Sequence, residues 1–141
     1  DCALIEALEQ FRRGESKTPR RNGEQYFVTF LTNTAFNAHF DEPIAKLFYR
    51  TIRCGLLHQA EAESNSRVKR GGDLPLVAYT TDHKGIVINK EEFHSLLESV
   101  IGDYITLLRR GESSGVREAF RRKMDYICRV ESKSAESANS V

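Results

Sequence analysis

From Glu42 to Ala60 the chain is apolar almost all the way round a helical wheel, with Ile44, Leu47, Phe48, Ile52, Leu56 and Leu57 spread over every face. A helix with so little polar surface belongs at the centre of a bundle or in an interface. Asp41 is placed to cap it, and Pro43 falls in the first turn, where its missing N–H costs nothing. The remaining segments must supply the layers that cover this helix. A chain of 141 residues is long enough to do so around one core.

The covering elements can be read from apolar spacing. Leu4, Ala7, Leu8 and Phe11 form one face of a short first helix that ends near Gly14. A polar, basic loop follows from Glu15 to Asn22. Asn22 and Gln25 then resemble a capping box for a second helix, whose buried face is Tyr26, Phe27, Phe30, Leu31 and Thr34. Phe36 and Phe40 either extend that helix or cover its end. Ala62 to Asp73 breaks all periodicity and reads as a loop. Two β-prone runs, Leu76–Tyr79 and Ile86–Ile88, flank a polar turn and predict a single hairpin. Asn89 and Glu92 form a second capping box. It opens a long helix on Phe93, Leu96, Leu97, Val100, Ile101, Tyr104 and Leu108, stopped by Gly111. Val116, Phe120, Met124 and Ile127 mark a last helix over 114–130. The Ser/Ala/Glu-rich residues 131–141 predict a disordered tail. The fold class is therefore mainly α, with about five helices and one short β-hairpin, in a single domain over 1–130.

Composition narrows the function. A formal net charge of +1 gives no global attraction to nucleic acid or membrane, so such binding must come from local clustering of the 21 basic residues. The three cysteines, Cys2, Cys54 and Cys128, are odd in number and form no C-x-x-C pair. That argues against a zinc site or a disulfide framework and predicts a reducing compartment, with cytoplasm as the default. No cofactor is implied, and no apolar run reaches the length of a membrane span. Met124 is the only methionine, so the chain reads as a domain trimmed from a longer protein.

Chemistry concentrates in the central helix. Arg53 and His58 are out of place in so apolar an element. A buried guanidinium keeps its charge and must find acceptors, whereas an imidazole can give or take a proton near neutral pH. Together they are a reasonable kit for cleaving RNA without a metal. The imidazole activates the ribose 2′-OH or protonates the leaving 5′-oxygen, and the guanidinium holds the phosphate. Five residues correspond to roughly 140° of rotation on an α-helix, so the two side chains do not share a face of one subunit. Arg53 lines up with Tyr49, Leu56 and Leu57, and His58 with Ile44, Leu47, Thr51 and Gly55. Two copies of the helix crossing in a homodimer would bring both pairs to one cleft. The bland alternative is a core histidine bonded to a backbone carbonyl and an arginine in an ordinary buried ion pair.

Arg-x4-His in a central helix resembles the HEPN superfamily, whose signature is an arginine and a histidine four to six residues apart. The longer string from Phe48 to Glu61, with its Arg-Cys-Gly-Leu-Leu-His-Gln core, is similar to a bacterial branch in which a short hairpin follows and leads to Ile88-Asn89-x-x-x-Phe93. The resemblance covers about Phe48 to Leu108. It implies a HEPN-like bundle that dimerises through the motif helices, here the 42–60 helix. It also implies a metal-independent endoribonuclease of toxin, phage-defence or RNA-processing systems, with Arg53 and His58 as the catalytic pair. Some members bind without cleaving, so a non-catalytic dimerisation or interaction module is the alternative. The sequence departs from the pattern at Cys54, where many active members carry a polar residue.

Around the motif, Tyr49 is placed one turn before Arg53 to bond a phosphate, and Gln59 and Glu61 to orient the histidine or contact a ribose. A core tyrosine and ordinary helix-surface groups are the alternatives for Tyr49, Gln59 and Glu61. Arg117, Arg121, Arg122, Lys123 and Arg129 make the last helix basic, with Arg109 and Arg110 just upstream. They can hold an RNA backbone, but Glu112, Glu118 and Asp125 interleave them, which favours a solvated face. His39, His83 and His94 read as surface residues.

Overall fold

In the computed structural model, which describes residues 1–58, 65–111 and 113–138, the apolar stretch after Asp41 does form the central helix, but in three parts. The Asp41 carboxylate accepts a hydrogen bond from the Ile44 N–H at 2.9 Å and opens α3 (Glu42–Leu47). The chain then widens into a π-helical segment, Phe48–Arg53, and tightens again into α4 (Cys54–His58). An unbroken α-helix over 42–60 is thus corrected, and residues 59–64 lie outside the described residues. In a π-turn each hydrogen bond spans five residues instead of four, so every turn holds an extra side chain. Phe48, Thr51 and Ile52 are all buried. The same widening shifts everything after Arg53 round the axis relative to α3, so the alignment of His58 with Ile44 and Leu47 no longer follows.

Two helices precede this element. α1 (Cys2–Arg13) ends at Gly14, whose φ of 68° is left-handed. α2 (Gly23–Thr32) buries Tyr26, Phe27, Phe30 and Leu31. Asn22 stands at its N-cap position but forms no side-chain capping bond, and the Gln25 amide instead donates to Thr29 Oγ1 at 3.2 Å. Phe36, in a 3-10 turn over Ala35–Ala38, and Phe40 just after it do not lengthen α2; both are buried over its end.

The hairpin predicted from the two β-prone runs is present as β2 (Val77–Tyr79) antiparallel to β3 (Ile86–Asn89). It is not alone. β1 (Arg67–Lys69), within the stretch read as a loop, pairs parallel with β3 to give a three-stranded sheet in the order β1-β3-β2. Arg67-Val68-Lys69 has one apolar residue and is too short to show a period, and all three residues are exposed, so backbone pairing makes it a strand. α5 (Lys90–Arg110) follows directly. The Asn89 side chain accepts from the Glu91 N–H at 3.2 Å. The reciprocal half of the expected box is displaced, because the Asn89 N–H already donates to Leu76 O in the sheet at 3.0 Å. After Gly111 (φ 70°), α6 spans Ser114–Ala138 and so passes the expected end at Val130 into the residues read as a tail. Residues 131–138 hold no glycine or proline to stop a helix.

The core is an aromatic cluster. Phe27, Phe30, Phe36, Phe40, Phe48 and Phe93 are all buried. Phe48 and Phe93 stack with centroids 5.3 Å apart and planes within 9°, while Phe40 meets Phe48 edge-on at 5.8 Å. A polar relay joins the π-segment to the sheet. The Ile86 N–H donates to Ser66 Oγ (3.0 Å), Ser66 donates to Thr51 Oγ1 (2.7 Å), and Thr51 donates to Leu47 O (2.9 Å). Ser66 and Thr51 are both buried, so each bond replaces one that water would make.

Ser66→Ala removes the middle of this relay and leaves a buried N–H without its acceptor. It should cost about 1–3 kcal/mol in urea denaturation. Phe48→Ala should cost about 3–5 kcal/mol. A Ser66→Ala loss within about 0.5 kcal/mol, the range of a plain surface change, would contradict the role given to the relay.

Candidate active site

Arg53 closes the π-segment. Its Nη2 donates to Glu6 Oε2 on α1 at 3.0 Å, with the two side chains 19% and 23% exposed. Its guanidinium also lies over the rings of Tyr49, at 5.3 Å, and Phe27, at 5.9 Å. Arginine suits such a place because it is weakly hydrated and its flat group packs on aromatic faces. Partial burial works against the charge, but the Glu6 hydrogen bond and the fields of Tyr49 and Glu6 outweigh it and push the pKa up. The group is a fixed cation.

Tyr49 is half-buried and packs against Phe27 at 5.3 Å. Burial raises its phenol pKa, and the Arg53 charge only partly offsets this. Its hydroxyl lies against Gly23, where any side chain would collide with it. Two residues of the sequence-predicted site, Arg53 and Tyr49, are therefore brought together, as their shared helix face implied. His58 ends α4. Its side chain, and the whole of Gln59 and Glu61, lie outside the described residues.

Arg53 lines a cleft of about 410 Å³ walled by Asp1 and Cys2 of the N-terminus, Leu56 of α4, Val68 of β1 and Lys90 at the start of α5. Leu56 and Val68 are 43% and 42% exposed, which leaves apolar surface at its edge. Burial pushes the Cys2 thiol above its ordinary pKa, which keeps it protonated and unreactive. The Asp1 carboxylate meets His94 Nδ1 at 3.0 Å. The cleft thus offers two cations, Arg53 and Lys90, beside an apolar wall, a combination that can take a phosphate joined to an unpolar or aromatic group.

Glu6, Lys90 and Phe27 escape sequence reasoning because they lie far from the motif along the chain and join it only through the fold. The remaining histidines, His39, His83 and His94, are exposed. The basic last helix needs a correction at Lys123, which is 7% exposed and donates to Gln10 Oε1 (2.8 Å) and Ser16 O (2.6 Å), pinning α6 to α1. Among the described residues no cluster of His, Cys, Asp and Glu is suited to hold a metal, and no helix is long and apolar enough to cross a membrane. No protein-family model, no curated protein and no solved structure matches the chain.

A double-mutant cycle on Glu6→Gln and Arg53→Gln should give a coupling of about 1 kcal/mol in denaturant melts, the upper end for a partly exposed pair. Strict additivity, within about 0.3 kcal/mol, would mean that the contact does not hold Arg53 in place.

Proposed function

We propose that the chain is a HEPN-type endoribonuclease that cleaves RNA without a metal, as a homodimer joined through the 42–60 helix. The observation that carries this reading is the placement of Arg53. The one guanidinium of the motif that is described stands on the wall of an open cleft, oriented by two aromatic rings and held by a single carboxylate. A phosphate oxygen can accept the guanidinium N–H that the Glu6 carboxylate now accepts, and so replace it. Three further features support the proposal. Arg53 and His58 stand within the longer Phe48–Glu61 string, a π-helical segment of the kind found at functional sites ends at Arg53, and exposed Leu56 and Val68 provide apolar surface for a second subunit.

In this mechanism the imidazole of His58 removes the proton from a ribose 2′-OH, and the freed oxygen attacks the adjacent phosphorus. Charge builds on the non-bridging oxygens, where Arg53 neutralises it. The bond to the 5′-oxygen breaks, and the second imidazole of the dimer supplies that oxygen with a proton. The products are a 2′,3′-cyclic phosphate and a 5′-hydroxyl, so no redox change or co-reactant is required. Tyr49 orients the phosphate and Gln59 contacts the ribose. Such an activity suits a toxin or a phage-defence system.

Purified chain incubated with mixed RNA in EDTA should produce fragments ending in 2′,3′-cyclic phosphate. His58→Ala and Arg53→Ala should each slow this by about a hundredfold or more. No cleavage by the parent, or equal cleavage by all three proteins, would refute the enzymatic reading. The Glu6–Arg53 ion pair favours a second reading, a non-catalytic HEPN-like interaction module in which the arginine is structural. Under that reading Arg53→Ala lowers the melting temperature of a protein that never cleaved RNA.

A further inference from the structure

The helical hairpin of α5 and α6 is not closed. α6 packs chiefly along α1, through a Phe11–Phe120 stack at 5.3 Å and the Lys123 hydrogen bonds, and meets α5 only lightly. Between α5 and α6 lies a groove of about 570 Å³. Ile105 and Leu108 line it from α5, Phe120 and Met124 from α6, and the exposed arginines Arg109, Arg117 and Arg121 flank them. Ile105 is 41% and Met124 36% exposed, so apolar surface stays in contact with water along the opening. Among the described residues none of the three arginines forms an ion pair, while the neighbouring Glu118 is taken by Arg122 at 3.4 Å.

Three like charges round an uncovered apolar strip are unfavourable in the free chain on two counts, repulsion and hydration of hydrocarbon. One kind of occupant relieves both. We propose that this groove docks an amphipathic helix of a partner protein, one with aliphatic residues along the seated face and carboxylates on both sides of it. The lining comes from two helices and spans about two turns of α6, which matches a third helix presenting residues i, i+3 or i+4, and i+7. The flexible Met124 thioether adapts to the shape of the incoming side chains. A second copy of the chain is disfavoured, because it would set one arginine cluster against another. RNA is disfavoured too, because the lining is aliphatic and its one aromatic ring, Phe120, is already stacked on Phe11. The groove is separate from Arg53, so the proposal stands or falls independently of ribonuclease activity.

The test uses two labelled helical peptides with the same leucine stripe, one flanked by glutamates and its twin by lysines, titrated with the whole chain by fluorescence anisotropy. The glutamate peptide should bind at least about tenfold tighter, as expected of several rim ion pairs. Arg117→Glu with Arg121→Glu should reverse the preference. Met124→Asp, at an exposed position outside the core, should weaken the glutamate peptide by about tenfold, with the melting temperature of each variant measured alongside. Equal binding of the two peptides, absence of binding, indifference to the variants, or displacement of the glutamate peptide by a single-stranded RNA oligonucleotide would each overturn the proposal.

Discussion

The face-to-face contact of Phe48 and Phe93 joins the two halves of the molecule. Phe48 belongs to the central helix and Phe93 to the first turn of α5, and the stack at 5.3 Å is flanked by Phe36 and Phe40. Interiors pack at crystal-like density, so two flat rings stacked in the core leave little freedom to the elements that carry them. That constraint sets the direction in which the π-segment leaves the core, and with it the place of Arg53 five residues later. The polar relay through Ser66 and Thr51 fixes the same segment to the sheet from the other side.

From this anchorage follows the electrostatic character of the cleft. Arg53 is too far from bulk water to be an ordinary surface group and too exposed to be a sealed core ion. Its guanidinium is supported from two sides by Tyr49 and Phe27 and satisfied by Glu6. Removing a partly buried partner leaves an uncompensated charge, so such a pair serves either structure or an exchange with an anionic ligand. The two readings of the site differ in which of these applies. The π-turn is relevant to both, because it ends at Arg53 and so sets where that guanidinium meets the cleft.

Much of the architecture was legible where one period dominates. α5 is read correctly because its apolar face runs unbroken from Phe93 to Leu108 between a capping asparagine and a stopping glycine. α2 and the β2–β3 hairpin are read for similar reasons. The π-segment was not legible, since six apolar-rich residues satisfy an α-helical and a π-helical pattern equally well. β1 was missed because a strand recruited by an existing edge needs little side-chain signal of its own. Lys123 was misjudged because buried lysines are rare, and only the tertiary fold brings Gln10 and the Ser16 carbonyl to it. At the candidate site, the pairing of Arg53 with Tyr49 followed from helical geometry, whereas Glu6 came from a distant helix and could not.

In the proposed mechanism, an arginine of one subunit and a histidine of its partner complete one reacting centre. Subunit complementation tests it most directly. Arg53→Ala and His58→Ala proteins, each inactive alone, are mixed, allowed to exchange subunits and assayed on RNA. If the centre is shared across the dimer, the heterodimer's cleft holds one guanidinium and one imidazole, and cleavage rises clearly above that of either variant alone while staying below the parent rate, since the second imidazole is missing. If mixing leaves the rate at the level of either variant alone while subunit exchange is demonstrated, the account of a shared centre is wrong.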